Sequence, residues 1–197
     1  MKKLFLLAVL ALALPMAVFA DSGVDYTNSG GTLAGSNSGL TLSGSTLIAV
    51  KGLNGGGLVT GSDLGSVSFS TGALLSGNLQ MGGTFAGGGS FIISGNGTNG
   101  IPNGTLFSGT FDGPVSWTLV TLANGTHNYT LMGTLSGTAT MGVTVQLTIN
   151  TGKGFFNGST TISSGDTNIV VPEPGSLSLL GTGLIGLAGL VRRKLKG

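Results

Sequence analysis

His127 is the single histidine in the 197 residues, and there is no cysteine. A Ser-His-Asp triad would hang on that one imidazole, which falls beside an Asn-Gly turn signal. Most zinc site types need several Cys or His ligands and are excluded. A disulfide framework, a thiol nucleophile and a lipid-modified cysteine are excluded with them. The carboxylates of the middle region are Asp21, Asp25, Asp63, Asp112 and Asp166. None forms an Asp-x-Asp-x-Asp-Gly calcium loop. Asp63, Asp112 and Asp166 lie at or near glycine, where turn formation is the expected role. Glycoside hydrolysis needs two placed carboxylates, and nothing in the sequence marks a pair. Gly87–Ser90 and Asn54–Gly57 lack the Gly-Lys-Ser/Thr ending of a phosphate loop. Five Asn-x-Ser/Thr sites occur, at Asn96, Asn103, Asn124, Asn128 and Asn157. Four of them are Asn-Gly, which turn geometry already explains, so no glycosylation is assigned. The expectation is a non-enzymatic domain without cofactor or metal.

Elements that could position such residues read as strands. Residues 21–171 alternate apolar and polar in short runs, broken by Gly and Asn-Gly. Expected strands are 46–50, 66–70, 79–85, 90–94, 105–111, 140–149, 154–162 and 167–171. The clearest hairpin is 117–135. There Asn124-Gly125 is the preferred centre of a two-residue type I′ turn. Counting outward places Val120 opposite Tyr129 and Thr118 opposite Leu131. Val120, Leu122, Tyr129 and Leu131 then share one face. Short antiparallel strands with close turns predict an all-β fold, an antiparallel sandwich or partly closed barrel. A β-solenoid is the alternative, because Gly-Thr-Leu recurs at 31, 104 and 133; the separations of 73 and 29 residues set no fixed period. Residues 22–45, rich in Ser, Gly and Asn, are expected to be poorly ordered, and Asp21 and Asp25 lie at the new N-terminus, where disorder is expected too.

Charge divides the chain sharply. Lys51 and Lys153 are the only bases between Asp21 and Val171, against five aspartates, a net of −3. That leaves no basic footprint for nucleic acid. The remaining bases sit at the two ends.

Residues 1–20 have a basic start, an apolar core and Val18-Phe19-Ala20 ahead of Asp21. They read as a secretory signal peptide, cut by signal peptidase between Ala20 and Asp21. At the other end an apolar run, 177–191, is followed by Arg192, Arg193 and Lys194. As a helix it spans about 22 Å, short of the roughly 30 Å bilayer core. Its apolar side chains supply roughly −4 kcal/mol on an insertion scale. Membrane retention is therefore weak, a transient hold by a transmembrane helix. The basic cluster acts as a stop-transfer signal that stays cytoplasmic, so the middle of the chain lies outside.

Ahead of that run stand Val171, Pro172, Glu173 and Pro174. Tripeptide, Gly-interrupted apolar run, basic cluster and upstream signal peptide together resemble the PEP-CTERM sorting tail, over about residues 171–194. The resemblance implies recognition by an exosortase, a membrane-embedded cysteine transpeptidase-like enzyme that cuts near the motif and passes the protein to the surface or to extracellular polymer. The two prolines hold an extended segment that cannot continue a helix, and Glu173 is taken as a recognition residue. The expected organisation is signal peptide 1–20, Gly/Thr-rich β domain 21–170 and sorting tail 171–197. The leading reading is an exported cell-surface or matrix protein, with extracellular polysaccharide as a candidate partner. The second is an exported carbohydrate-active hydrolase built on Asp63, Asp112 and Asp166. A third is a permanently anchored membrane protein or outer-membrane barrel.

Overall fold

The computed structural model describes residues 23–137 and 143–169. Among them run thirteen strands. The first seven are β1 (Val24–Ser29), β2 (Thr32–Ser36), β3 (Gly39–Lys51), β4 (Val59–Ser70), β5 (Leu74–Asn78), β6 (Gly82–Phe85) and β7 (Gly88–Asn96). They are followed by β8 (Asn103–Phe111), β9 (Val115–Thr121), β10 (His127–Gly137), β11 (Val143–Asn150), β12 (Ser159–Thr161) and β13 (Ser164–Ile169).

Eight of these strands close on themselves, in the order β11-β13-β1-β3-β4-β7-β8-β10, with β10 returning to β11. Every neighbouring pair is antiparallel. Of the two expected architectures, the sheet is thus a barrel, and its closed antiparallel ring rules out the solenoid. Two long strands carry the extra ones. One half of β3 pairs with β1 and the other half with β2, which pairs with β12. Likewise β10 pairs with β8 near its end and with β9 near its start, and β9 leads to β6 and β5.

Period-two patterning explains the interior. Val143, Val145, Leu147 and Ile149 of β11 are buried, while Thr144, Gln146 and Asn150 face out. Two aromatic clusters fill the barrel. Phe69 stacks on Phe91 at 5.8 Å, and Phe111 meets both rings edge-on. Toward the other end Trp117 stacks on Tyr129 at 4.9 Å, and Phe156 meets Trp117 edge-on. Each such pair adds about 0.5–1.5 kcal/mol beyond area burial. A void of ≈ 10 Å³ beside Asn28, Phe69 and Thr167 has room for about one water. Apolar side chains inside and hydroxyl or amide groups outside invert the polarity of a lipid-spanning barrel, which carries its apolar band outward.

The 117–135 hairpin forms one residue out of the expected register. Leu119 faces Tyr129 and Trp117 faces Leu131. Gly125 alone of the turn pair has positive φ, at 78°, and its N–H donates to the Leu122 carbonyl. The Leu122 N–H donates to the Thr126 carbonyl, closing a three-residue loop. That is a type I turn with a bulge, which also favours Asn-Gly. Because side chains alternate, the slip turns one strand over: Val120 and Leu122 are exposed, whereas Trp117 and Leu131 are buried.

Further corrections concern the glycine-rich stretches. Residues 24–29, 32–36 and 39–45, expected to be poorly ordered, are β1, β2 and the first half of β3. Residues 79–81 are a turn before β6, and 151–158 are largely a loop before β12. The signal peptide 1–20, the sorting tail 171–197 and the expected helix 177–191 lie outside the described residues.

Candidate functional site

The chemistry-bearing residues of the domain answer to separate partners. His127 opens β10 and is 9 % exposed. Its backbone N–H donates to the Gly152 carbonyl, and its own carbonyl accepts from the Thr151 N–H. The ring places Nδ1 3.2 Å from the Gly154 carbonyl and stacks on Phe155 at 4.3 Å. The histidine thus packs at the barrel's edge, fastening the loop between β11 and β12. Asp63, in β4, accepts on Oδ1 from the Gly65 N–H and from Asn96 Nδ2. Asp112 lies in the turn after β8, with its backbone N–H on the Thr134 carbonyl. Asp166 is not a turn residue; it sits within β13, opposite Thr27 and Gln146. Among the described residues no group of three or more His, Cys, Asp or Glu could hold a metal ion.

One pairing went unseen in the sequence. Asp25 lies in β1 opposite Asn168, so Asp25 and Asp166 are diagonal neighbours on one outer face, a spacing of about 7–8 Å. Lys51 stands opposite Asp25 on the other side. Partial burial, and after it the Asp166 carboxylate, raise the Asp25 carboxyl above its ordinary 3.8; Lys51 and the Tyr26 backbone pull it back. The wall around them is a polar lattice. One row runs Thr134, Thr144, Asn168, Asp25, Lys51, and the next runs Met132, Gln146, Asp166, Thr27, Ala49. Such a surface can make hydrogen bonds over an area, and it carries two acids and one base.

The ends of the domain meet at one rim. Val24, Ile169 and Val143 are mutually in register, so the first strand, the last strand and the start of β11 end side by side. The loop after β3 joins them there: Gly52 packs on the Gly23 carbonyl so closely that a Cβ would lie 2.2 Å from it.

Fold and surface together define a side-chain-filled β barrel with a polar wall, carried ahead of a separate C-terminal segment. That segment, residues 170–194, matches the family described as PEP-CTERM protein-sorting motif. The match begins one residue after β13 ends at Ile169 and leaves the barrel outside it. No curated protein and no solved structure matches the chain. The tail bears on function directly, because it implies exosortase-dependent export and sorting to the cell surface. The residues read as its working parts, Val171, Pro172, Glu173, Pro174, Arg192, Arg193 and Lys194, lie outside the described residues, as do Ala20 and Asp21. No helix among the described residues is long and apolar enough to cross a membrane.

Proposed function

We propose that the chain is an exported surface or matrix protein whose barrel is non-catalytic cargo, delivered by its tail. The signal peptide, cut after Ala20, directs export. The apolar run 177–191 halts transfer, with Arg192, Arg193 and Lys194 on the cytoplasmic side. An exosortase-like enzyme reads Pro172-Glu173-Pro174 in its extended form and removes the apolar run and basic cluster. The freed domain then takes a structural or adhesive place in the envelope or extracellular polymer, using its rows of hydroxyl and amide groups to hydrogen-bond neutral polysaccharide.

The observation that carries this reading is the sorting-motif match at 170–194, set directly after the last strand. A non-catalytic barrel is supported by an interior occupied by aromatic side chains and by the different partners that engage Asp63, Asp112 and Asp166. Fractionation of a tagged chain with and without residues 171–197, with mass spectrometry of the exported C-terminus, tests it. The expected result is mislocalisation on deletion and a trimmed C-terminus in the wild type. Unchanged location on deletion refutes the sorting role, and an intact Gly197 in every compartment makes the tail a permanent anchor instead.

A further inference from the structure

We infer that the rim formed by Gly23, Ile169 and the loop between β3 and β4 is the membrane-apposed end of the tethered domain, and that Leu58 on that loop is its lipid contact. The inference rests on the reading of 177–191 as a membrane segment and adds an orientation and an interaction surface to it.

Chain length sets the reach. From Ile169 to the start of the apolar run there are seven residues, 170–176, which extend to about 25 Å at most. The upstream segment leaves from the same place, since Val24 pairs with Ile169 and only Asp21–Gly23 separate it from the cleavage position. Before cleavage both apolar ends of the chain therefore pull on one rim. A connection of this length keeps the rim at high effective concentration over the bilayer surface.

The loop at that rim suits a lipid surface. Residues 52–58, Gly-Leu-Asn-Gly-Gly-Gly-Leu, contain no charge, and a Cβ at Gly55 or Gly57 would touch nothing within 4 Å. Leu58 at its end is 66 % exposed, although it lies next to a packed strand. A protruding leucine on an uncharged loop can enter the headgroup boundary, where apolar groups bury to a depth of about 5–10 Å.

At the opposite end the exposed apolar side chains include Met81, Val120, Leu122 and Phe155. They belong with Asn128 and Asn150, which pair with each other seven residues along β11 from Val143. Seven strand residues rise about 24 Å along the strand, or about 17–20 Å along the axis of a barrel whose strands tilt by about 35–45°. The connecting segment would have to double back along most of the barrel wall to bring that end to the bilayer. Phe155 and Leu122 therefore face away from the membrane.

The absence of cysteine makes the test direct. Leu58→Cys and Leu122→Cys, each the only thiol in the full-length chain, carry an environment-sensitive fluorophore. The chains are reconstituted in phosphatidylcholine–phosphatidylglycerol vesicles, with or without a nitroxide lipid as quencher. Retention of buried Trp117 emission checks the fold of each. The expected result is quenching at position 58 exceeding that at 122 by about twofold or more. Equal quenching, or stronger quenching at 122, overturns the inference while leaving the tail reading intact. Failure of the unlabelled full-length chain to float with vesicles removes the tail reading and this inference with it.

Discussion

The Tyr129 hydroxyl donates a 2.6 Å hydrogen bond to the Gln80 carbonyl, and the same oxygen accepts the Phe156 N–H at 3.0 Å. One phenol thereby fastens two separate segments, the turn between β5 and β6 and the loop between β11 and β12, beneath the end of the barrel. Trp117 reinforces the first of them by donating from Nε1 to the Leu79 carbonyl at 2.9 Å.

Tyr129→Phe keeps the ring and its stack on Trp117 but leaves the Gln80 carbonyl and the Phe156 N–H unpaired. A buried polar group stripped of its partner costs about 1–3 kcal/mol. The expected outcome is a loss of that size in urea unfolding followed by Trp117, the single tryptophan of the chain. An unchanged midpoint would mean that the two loops are held by other contacts.

The hairpin register is open to test by a pair of substitutions. Val120→Thr, on the exposed face, is expected to change stability by no more than about 0.5 kcal/mol. Leu131→Ala, on the buried face against Trp117, should cost about 2–5 kcal/mol. The two-residue turn would bury Val120 as well and predicts a substantial loss for both.

Asp25 gives the domain a pH dependence of defined sign. Its folded carboxyl titrates above the ordinary 3.8, so the native state holds the proton more tightly than the unfolded chain. That contribution is fully present below 3.8 and is lost as pH rises through the higher folded value. In Asp25→Asn the slope is expected to flatten across the window just above 3.8, measured by urea midpoints from about pH 3 to about pH 6. Asp166→Asn should flatten it partly, by removing the second cause of the shift.

Glu173 tests the tail. If the carboxylate is read by the processing enzyme, Glu173→Gln should slow trimming by at least about tenfold, the effect of losing one charged contact worth roughly 1.4 kcal/mol. The precursor with intact Gly197 then accumulates in the membrane fraction. Normal trimming of the variant would assign recognition to the prolines and the apolar run.

How far the sequence could be read depended on how local each signal was. The sorting tail is a linear motif, and Pro172-Glu173-Pro174 with the basic cluster needs no fold to be seen. The alternating run 140–149 reads as a strand, and Val143–Asn150 is β11. The register of the 117–135 hairpin was not legible, because Asn124-Gly125 serves two turn types that differ by one residue. Strands β1 and β2 hid in a Ser-, Gly- and Asn-rich stretch, since partners distant in sequence help supply the order: β1 pairs with β13 and β2 with β12. For the same reason Asp25 looked like a frayed end, and its meeting with Asp166 could not be foreseen across that separation.

The ring is sealed by its first and last strands, Val24 against Ile169, positions 145 apart in sequence. On the proposed export route, with the N-terminus leading, that seam cannot be finished until β13 has emerged, so β1 waits with one side unpaired for almost the whole passage. Loop closure over such a distance is slow as well as late. On that route, completion of the barrel and arrival of the sorting motif outside the membrane are nearly the same event, and a chain cut short before β13 would lack both its closure and its address.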